Sequence, residues 1–347
     1  MSTDPTLGTT GSVGKYFGLV STLPSVVLAA WVYLLLASGA WDATPSLETL
    51  AKNSPLDHGG AVLATAAFAL AVAVVSHPVQ FVLVQLLEGY WGSSALGRRA
   101  YDAMVMRQLA VRARADEFTV GSVRAGRQLA REAAESEVKV SDPDEYLSGD
   151  VLRDHPHLAR LAVERQSLKA SADSILAGFP EQRTAILPTR LGNMLRRHEL
   201  LAGAAVKLPV LDWATHLGMV TSTEQGAYIN DQRTQLDLAV RTTAMGAVAA
   251  IFTFALLWDE KGWALLTLVP YFVMWLGYRG AVTSADGYGR ALRAWVDLNR
   301  FRLYEALGLP PVTSAQAERQ QNKKLDNLMR GLERFESELD PPTRATK

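Results

Sequence analysis

The chain contains no cysteine. This absence excludes disulfide bonds, thiolate nucleophiles and cysteine-ligated zinc or iron–sulfur centres. The chain also lacks a net charge, because 35 basic residues balance 35 acidic ones. Without an excess of positive charge, the composition gives no support for a nucleic-acid-binding protein, and we expect no nucleic-acid partner.

Charged side chains are also absent from four long stretches, namely 16–41, 59–87, 242–258 and 262–278. An α-helix rises about 1.5 Å per residue, so even the two shorter stretches approach the roughly 30 Å hydrocarbon thickness of a bilayer. A short polar run, WDEKGW, lies between the last two. The pattern predicts four transmembrane helices in two hairpins. The alternative is a buried helix pair in a large soluble core.

The distribution of charge around these stretches predicts their orientation. The loop at 42–58 is short and acidic, whereas arginines follow the second stretch at 98, 99, 107, 112 and 114 and the fourth at 279, 290, 293 and 300. The positive-inside rule then places both termini and the long central segment in the cytoplasm. We therefore expect a multipass protein of the plasma (inner) membrane, with the lipid bilayer as its first partner.

The predicted fold class is all-α: an integral membrane protein with four transmembrane helices in two hairpins plus a cytoplasmic helical domain. Strand-type alternation is scarce in the central segment, which favours helices there. The expected segments are a cytoplasmic N-terminal tail at 1–15, a first transmembrane hairpin at 16–87 with spans at about 16–40 and 59–87, a cytoplasmic helical insert at 88–241, a second hairpin at 242–279, a cytoplasmic amphipathic helix at 280–311, and a charged C-terminal helix and tail at 312–347.

Two helical patterns follow the fourth stretch. The segment 285–307 is strongly amphipathic, and Gly308 followed by Pro310 and Pro311 predicts where it ends. A last helix has apolar residues at heptad spacing, which predicts packing on a neighbouring helix of the same or another subunit. These residues are Leu325, Leu328, Leu332, Phe335 and Leu339.

His77 and Pro78 lie inside the second apolar stretch and form a candidate kink or gate. Proline removes a backbone hydrogen bond, and a lipid-buried histidine titrates near neutral pH. One hypothesis is a gating histidine at a kink. The favoured one is a histidine at the cytoplasmic end of an overlong helix, bonded to a carbonyl.

The segment ILPTRLGNMLRRHE (186–199) reads as the beginning of a cytoplasmic helix. Pro188 fits the first helical position. Arg190, Asn193 and Arg197 follow at spacings of three and four, so they are predicted to form one polar stripe that binds an anion or forms salt bridges.

Arg190 is unusual because a cation in the first turn opposes the helix dipole. An anion should compensate for it: a carboxylate of the insert, a lipid headgroup or a phosphate ligand, of which an internal salt bridge is favoured. Glu199 can pair with Arg196, three residues before it. The segment 203–223 is either an interfacial helix or a core helix of the insert, and the sequence leaves this choice open.

No catalytic motif can be placed convincingly, so we expect no enzymatic activity, no cofactor and no resident metal. The segment LPTRLGNMLRRHE together with YGRALRAWVDLNRFRLYEALGLPP resembles an uncharacterised family of multipass membrane proteins common in actinobacteria. The resemblance covers roughly 179–311. The sequence WATHL at 213–217 departs from a tryptophan–proline–arginine run expected there. The resemblance implies an architecture and supplies no catalytic residues.

The order of spans, insert and tail is also similar to that of bestrophin channels, by analogy of layout only. We expect a homo-oligomeric, non-enzymatic membrane scaffold or signalling component that engages a cytoplasmic protein partner. A bestrophin-like ion channel is the alternative, and a membrane-associated enzyme comes third.

Overall fold

The computed structural model describes residues 7–42, 44–53, 59–92, 94–138 and 148–329, without the side chains of 7–21, His77, Leu152, Lys261, Leu328 and Met329. Over this part of the chain it contains helices and no strand, which confirms the all-α prediction. The α-helices, in chain order, are α1 (Leu7–Ala37), α2 (Leu47–Lys52), α3 (Gly59–Glu88), α4 (Ala95–Glu135), α5 (Gly149–Asp154), α6 (Pro156–Leu176), α7 (Arg190–Leu201), α8 (Val210–Val220), α9 (Thr223–Leu257), α10 (Leu268–Ala306) and α11 (Ala315–Met329).

Among the described residues, three helical stretches are long and apolar enough to cross a membrane. They are Gly59–Ser76 in α3, Thr223–Leu257 and Gly262–Ala306. The first of the four predicted spans falls on α1, whose apolar run with described side chains, Thr22–Ala37, is shorter than a span. The part of that predicted span before Thr22 consists of residues whose side chains lie outside the described set.

The chain divides into two compact units. One, the apolar unit, combines Met1–Leu87 with Leu211–Lys347. The other, the insert unit, is Glu88–Val210. The chain therefore passes from one unit to the other at the end of α3 and again at the beginning of α8.

In the apolar unit, α9 and α10 pack against each other as an antiparallel pair. Two glycines bring the helix backbones close together. A Cβ atom on Gly246 would lie 2.7 Å from the backbone nitrogen of Met274, and one on Gly277 would lie 2.8 Å from that of Thr243. Small residues at such contacts allow van der Waals packing that a side chain would prevent.

The helix α10 is continuous over 39 residues, about 58 Å at about 1.5 Å per residue. The predicted boundary between the second hairpin and the amphipathic helix, at 279/280, therefore lies inside one helix. Similarly, α9 begins at Thr223, well before the charge-free stretch that starts at 242. Absence of charge marks only the apolar part of a helix, because backbone hydrogen bonding continues through polar positions equally well.

Helix α1 packs on α9, where the Trp31 indole nitrogen donates a 2.9 Å hydrogen bond to Thr253. A cavity of about 320 Å³ lies between α1, α9 and α10, and a groove of about 590 Å³ lies between α1 and α3. Both are lined almost wholly by apolar side chains. Most of the apolar surface of α3 is exposed, including Val62, Leu63, Phe68, Leu70, Val74, Val75, Phe81 and Val82.

Helix α11 follows α10 in the chain after a short connection. The chain turns at Gly308 with φ of +68°, and the Leu309 amide donates to the Tyr304 carbonyl oxygen at 3.0 Å, so the helix ends where the sequence predicted. Helix α11 returns to α10 of the same chain. Leu325 of the predicted heptad pattern is buried, and the later positions 332, 335 and 339 lie outside the described residues.

In the insert unit, α4 and α6 pack along each other around Leu129, Ala133, Leu158 and Ala162. Most of the segment between α4 and α5 (139–147) lies outside the described residues. Helix α8 follows this unit and buries one face, since Trp213 and Leu217 are 2% and 0% exposed while Leu211 and Met219 are exposed.

Candidate functional site

The segment 187–193 packs against Glu88 and Gly89 within the insert unit, and we call these residues together the clasp. Thr189 is the N-cap of α7, because its hydroxyl oxygen accepts a 2.9 Å hydrogen bond from the Gly192 amide. The same hydroxyl donates to the Glu88 carbonyl oxygen at 2.9 Å. The prediction that Pro188 opens the helix was wrong, since Pro188 precedes the cap and α7 begins at Arg190.

Close backbone contacts make glycine necessary at two positions of the clasp. Gly89 has φ of +108°, a conformation that favours glycine, and a Cβ atom there would collide with the ring of Pro188. A Cβ atom on Gly192 would collide with the Glu88 carbonyl oxygen. The LPTRLGN segment is thus shaped to fit Glu88 and Gly89.

Asn193 is fully buried and closes the clasp from inside. Its amide nitrogen donates to the Leu187 carbonyl oxygen at 2.9 Å, and its amide oxygen accepts from the Leu187 backbone N–H at 2.7 Å. Both of its polar atoms therefore bind backbone. Arg190 is exposed and Arg197 is partly buried, so the three residues of the predicted stripe differ in exposure. The role of Arg190, Asn193 and Arg197 in binding an anion or forming salt bridges stays a prediction.

Two partly buried carboxyl groups influence each other here, that of Glu88 in the clasp and that of Glu199 later in α7. Burial, and to a smaller extent the negative charge of Glu199, raise the pKa of Glu88 to about 7. Burial also raises the pKa of Glu199, which the nearby guanidinium of Arg196 partly offsets. The predicted Arg196–Glu199 pair is confirmed, with a nitrogen–oxygen distance of 3.5 Å.

Glu88 was missed by sequence reasoning, although it is the first acidic residue after the apolar stretch at 59–87. A carboxyl group that directly follows a long apolar helix and precedes a glycine is a signal for partial burial. The pKa of the neighbouring Tyr90 is raised as well, first by burial and then by the charges of Glu88 and Glu199.

The candidate kink or gate lies in α3. Pro78 is inside this helix, which runs from Gly59 to Glu88, and Pro78 is exposed. The side chain of His77 lies outside the described set, so its predicted role stays a prediction.

Two residues after Pro78, Gln80 donates to the Asp237 side chain at 3.1 Å and accepts from Arg241 at 2.6 Å. This polar bridge between α3 and α9 was not predicted, because its residues are far apart in sequence.

A buried polar network joins α10 to α11 in the apolar unit. Arg300 pairs with Glu318 at 2.9 Å, and the Tyr304 hydroxyl donates to the same carboxylate at 3.1 Å. Asn322 donates to the Tyr304 oxygen at 2.7 Å. Glu318 and Asn322 are 6% and 0% exposed, so the network orders the docking of α11.

Among the residues that the structure describes, no group of three or more metal-ligating side chains converges. Comparisons of the chain with family models, curated proteins and solved structures give no match. The site therefore has to be interpreted from its own geometry, which is that of a tightly fitted contact between two backbone segments.

Proposed function

We propose that the protein is a multipass plasma-membrane protein with both termini in the cytoplasm. We further propose that it is a non-enzymatic, oligomeric scaffold or signalling component that engages a partner through its cytoplasmic helices. The α9–α10 pair is the observation that carries this proposal. It continues without interruption from its apolar part into its polar part.

This pair is fixed at both ends. In the apolar part, Gly246 and Gly277 hold the two backbones in contact. In the polar part, the Trp295 indole of α10 donates a 2.6 Å hydrogen bond to Thr221, in the turn just before α9, and the α10–α11 network lies beyond it. A helix pair of this kind suits a protein that presents a fixed cytoplasmic surface. A catalytic pocket instead needs convergent polar groups in a cleft, and the cavities at the apolar helices are lined by hydrocarbon.

The exposure of α3 supports the oligomeric part of the proposal. Only 11% of its apolar stretch Gly59–Ser76 is buried within one chain. Its alanine-rich surface allows another helix to approach closely, and lipid covers whatever a neighbouring subunit leaves free. Intact-mass measurement in nanodiscs tests this, and a strictly monomeric protein would remove the oligomer from the proposal.

The proposed topology can be tested because the chain has no native cysteine. In Lys52→Cys the label site lies in the loop at 42–58, and in Glu305→Cys it lies at the end of α10. Both positions are exposed. A membrane-impermeant maleimide should label Lys52→Cys in intact cells and Glu305→Cys only after permeabilisation. The opposite pattern, or labelling of both in intact cells, would overturn the orientation.

Two experiments test the function itself. Planar-bilayer recordings on the purified protein should show no selective conductance, and a reproducible selective conductance would establish the bestrophin-like alternative instead. A photo-crosslinking amino acid at Leu298, which is 63% exposed on α10, should capture one defined cytoplasmic protein in cells. The same substitution at Trp258, 71% exposed at the opposite end of the pair, is the matched control and should not capture it.

A further inference from the structure

The cavity of about 320 Å³ between α1, α9 and α10 lies within the apolar unit. Each helix contributes described lining residues from one charge-free stretch of the sequence: 23–31 from α1, 242–249 from α9 and 269–273 from α10. Leu28 and Ala249 are buried in its wall, whereas Leu23, Val27 and Val269, which also line it, are exposed. The cavity therefore opens at the outer surface of these apolar helices.

The described walls of the cavity carry few polar atoms, and the polar atoms present are already bonded. Of these lining side chains, only Trp31 and Thr242 contain a nitrogen or an oxygen. The Trp31 indole donates to the Thr253 hydroxyl at 2.9 Å, and the Thr242 hydroxyl donates to the Leu238 carbonyl oxygen at 2.9 Å. An occupant of the cavity thus meets hydrocarbon and bonded polar groups.

These walls and the size of the cavity limit what can fill it. A buried water molecule needs about two to four polar partners, whereas engineered apolar cavities of about 150 Å³ stay dry and bind benzene. A helix of a second copy is too large, since one helical turn about 10 Å across and about 5.4 Å long occupies about 400 Å³. A hydrocarbon chain is thinner, needs no hydrogen-bonding partner and supplies the van der Waals contacts that an empty space lacks.

We propose that one acyl chain of a bilayer phospholipid occupies this cavity and fills the space between α1 and the α9–α10 pair. This inference rests on the proposed membrane location, because the bilayer brings phospholipid chains to the exposed residues at the opening. Packing alone holds the chain, and the polar headgroup stays outside the apolar walls. The chain is a structural ligand that adds to the contact between Trp31 and Thr253.

Quenching of Trp31 fluorescence tests the proposal, because Trp31 lines the cavity. The full-length protein is reconstituted in nanodiscs of phosphatidylcholine with brominated or ordinary acyl chains, since bromine quenches a nearby indole. The Trp31 signal is the difference between the unmodified protein and Trp31→Phe. The signal of Trp275, an exposed residue of α10 outside the cavity, is obtained in the same way from Trp275→Phe. Brominated phospholipid should quench both tryptophans.

Two variants restrict the cavity. Ala249→Leu extends a buried side chain into it, and Val27→Phe narrows the opening from an exposed position and serves as the second variant if Ala249→Leu does not fold. Quenching of Trp31 should then fall by about half or more, because the partly buried indole keeps contact with lipid only on its exposed side. The matched control is Ala255→Leu, which adds the same atoms at an exposed position of α9 outside the cavity and should change neither signal.

The outcomes separate this inference from the proposed membrane location. If Trp275 is quenched but the quenching of Trp31 is the same in the unmodified protein, Ala249→Leu and Val27→Phe, no lipid chain occupies the cavity. If neither tryptophan is quenched, the membrane location itself is wrong. Quenching of Trp31 by brominated free fatty acid in ordinary nanodiscs, without quenching by brominated phospholipid, would overturn phospholipid as the source of the chain.

Discussion

Replacing Asn193 by alanine should destabilise the protein far more than a surface asparagine does. Asn193 is 0% exposed, and its side chain satisfies both the N–H and the C=O of Leu187 at 2.7 and 2.9 Å. Each intramolecular hydrogen bond contributes about 1 kcal/mol net, and leaving a buried backbone group unsatisfied costs about 1–3 kcal/mol. Leu187 is only partly buried, so water can reach some of the freed groups.

The expected loss in the free energy of unfolding is therefore about 2–4 kcal/mol. The higher helix propensity of alanine offsets at most about 0.7 kcal/mol of this. At roughly 2–4 °C per kcal/mol, the apparent Tm should fall by roughly 4–16 °C. The measurement is thermal unfolding of the detergent-solubilised protein, followed by intrinsic fluorescence at one fixed scan rate.

Asn230→Ala is the control, because Asn230 is an exposed asparagine in α9. Its effect should stay within about 0.5 kcal/mol, or one to two degrees. If Asn193→Ala behaved like Asn230→Ala, the amide of Asn193 would not hold the clasp closed. That result would favour the stripe hypothesis, in which Asn193 acts with Arg190 and Arg197 on an anion.

Three further substitutions test the remaining contacts. Gly277→Ala should destabilise the α9–α10 pair by about 1–3 kcal/mol through overpacking on Thr243. Gly280→Ala should be neutral or stabilising, because its added methyl group would lie at an ordinary contact distance of 3.8 Å from Ala239. Equal thermal stability of the two variants would contradict the close contact at Gly277. Tyr304→Phe should increase protease cleavage of α11, because it removes the hydroxyl that joins Glu318 and Asn322. The control is Tyr228→Phe at an exposed site, and equal cleavage of the two variants would argue against the network. Thr189→Ala should cost about 1 kcal/mol as a lost N-cap and speed amide exchange in the first turn of α7; an unaltered exchange rate at Gly192 would count against the cap.

Local features of this chain could be predicted from sequence, since they depend on neighbouring residues. The apolar helices follow from the absence of charge, the Arg196–Glu199 pair from a spacing of three, and the end of α10 from Gly308. The length of α9 was underestimated because its first part is polar. There Asp237 and Arg241 are satisfied by Gln80, a partner that only the folded chain brings near.

The clasp was beyond sequence reasoning for the same physical reason. Arg190, Asn193 and Arg197 share a helical spacing, but spacing does not say which side of a helix faces a neighbouring backbone. Asn193 turns toward Leu187 because Gly192 must pack on Glu88, and Glu88 lies 101 positions from Thr189. The proline, threonine, glycine and asparagine of LPTRLGN could be recognised as unusual in the sequence. The contact with Glu88 and Gly89 that requires them could not be predicted from it.

The long sequence separation of these contacts imposes an order on biosynthesis. At about 5–20 residues per second, a ribosome needs roughly 5–20 seconds after Glu88 to make Thr189, and roughly 10–45 seconds after Trp31 to make Thr253. For the membrane protein proposed above, the first hairpin is thus synthesised and inserted while its later partners do not yet exist. Lipid can cover the exposed valine, leucine and phenylalanine side chains of the first hairpin during this interval. Trp31 gains its hydrogen bond only after the second hairpin has been synthesised and inserted.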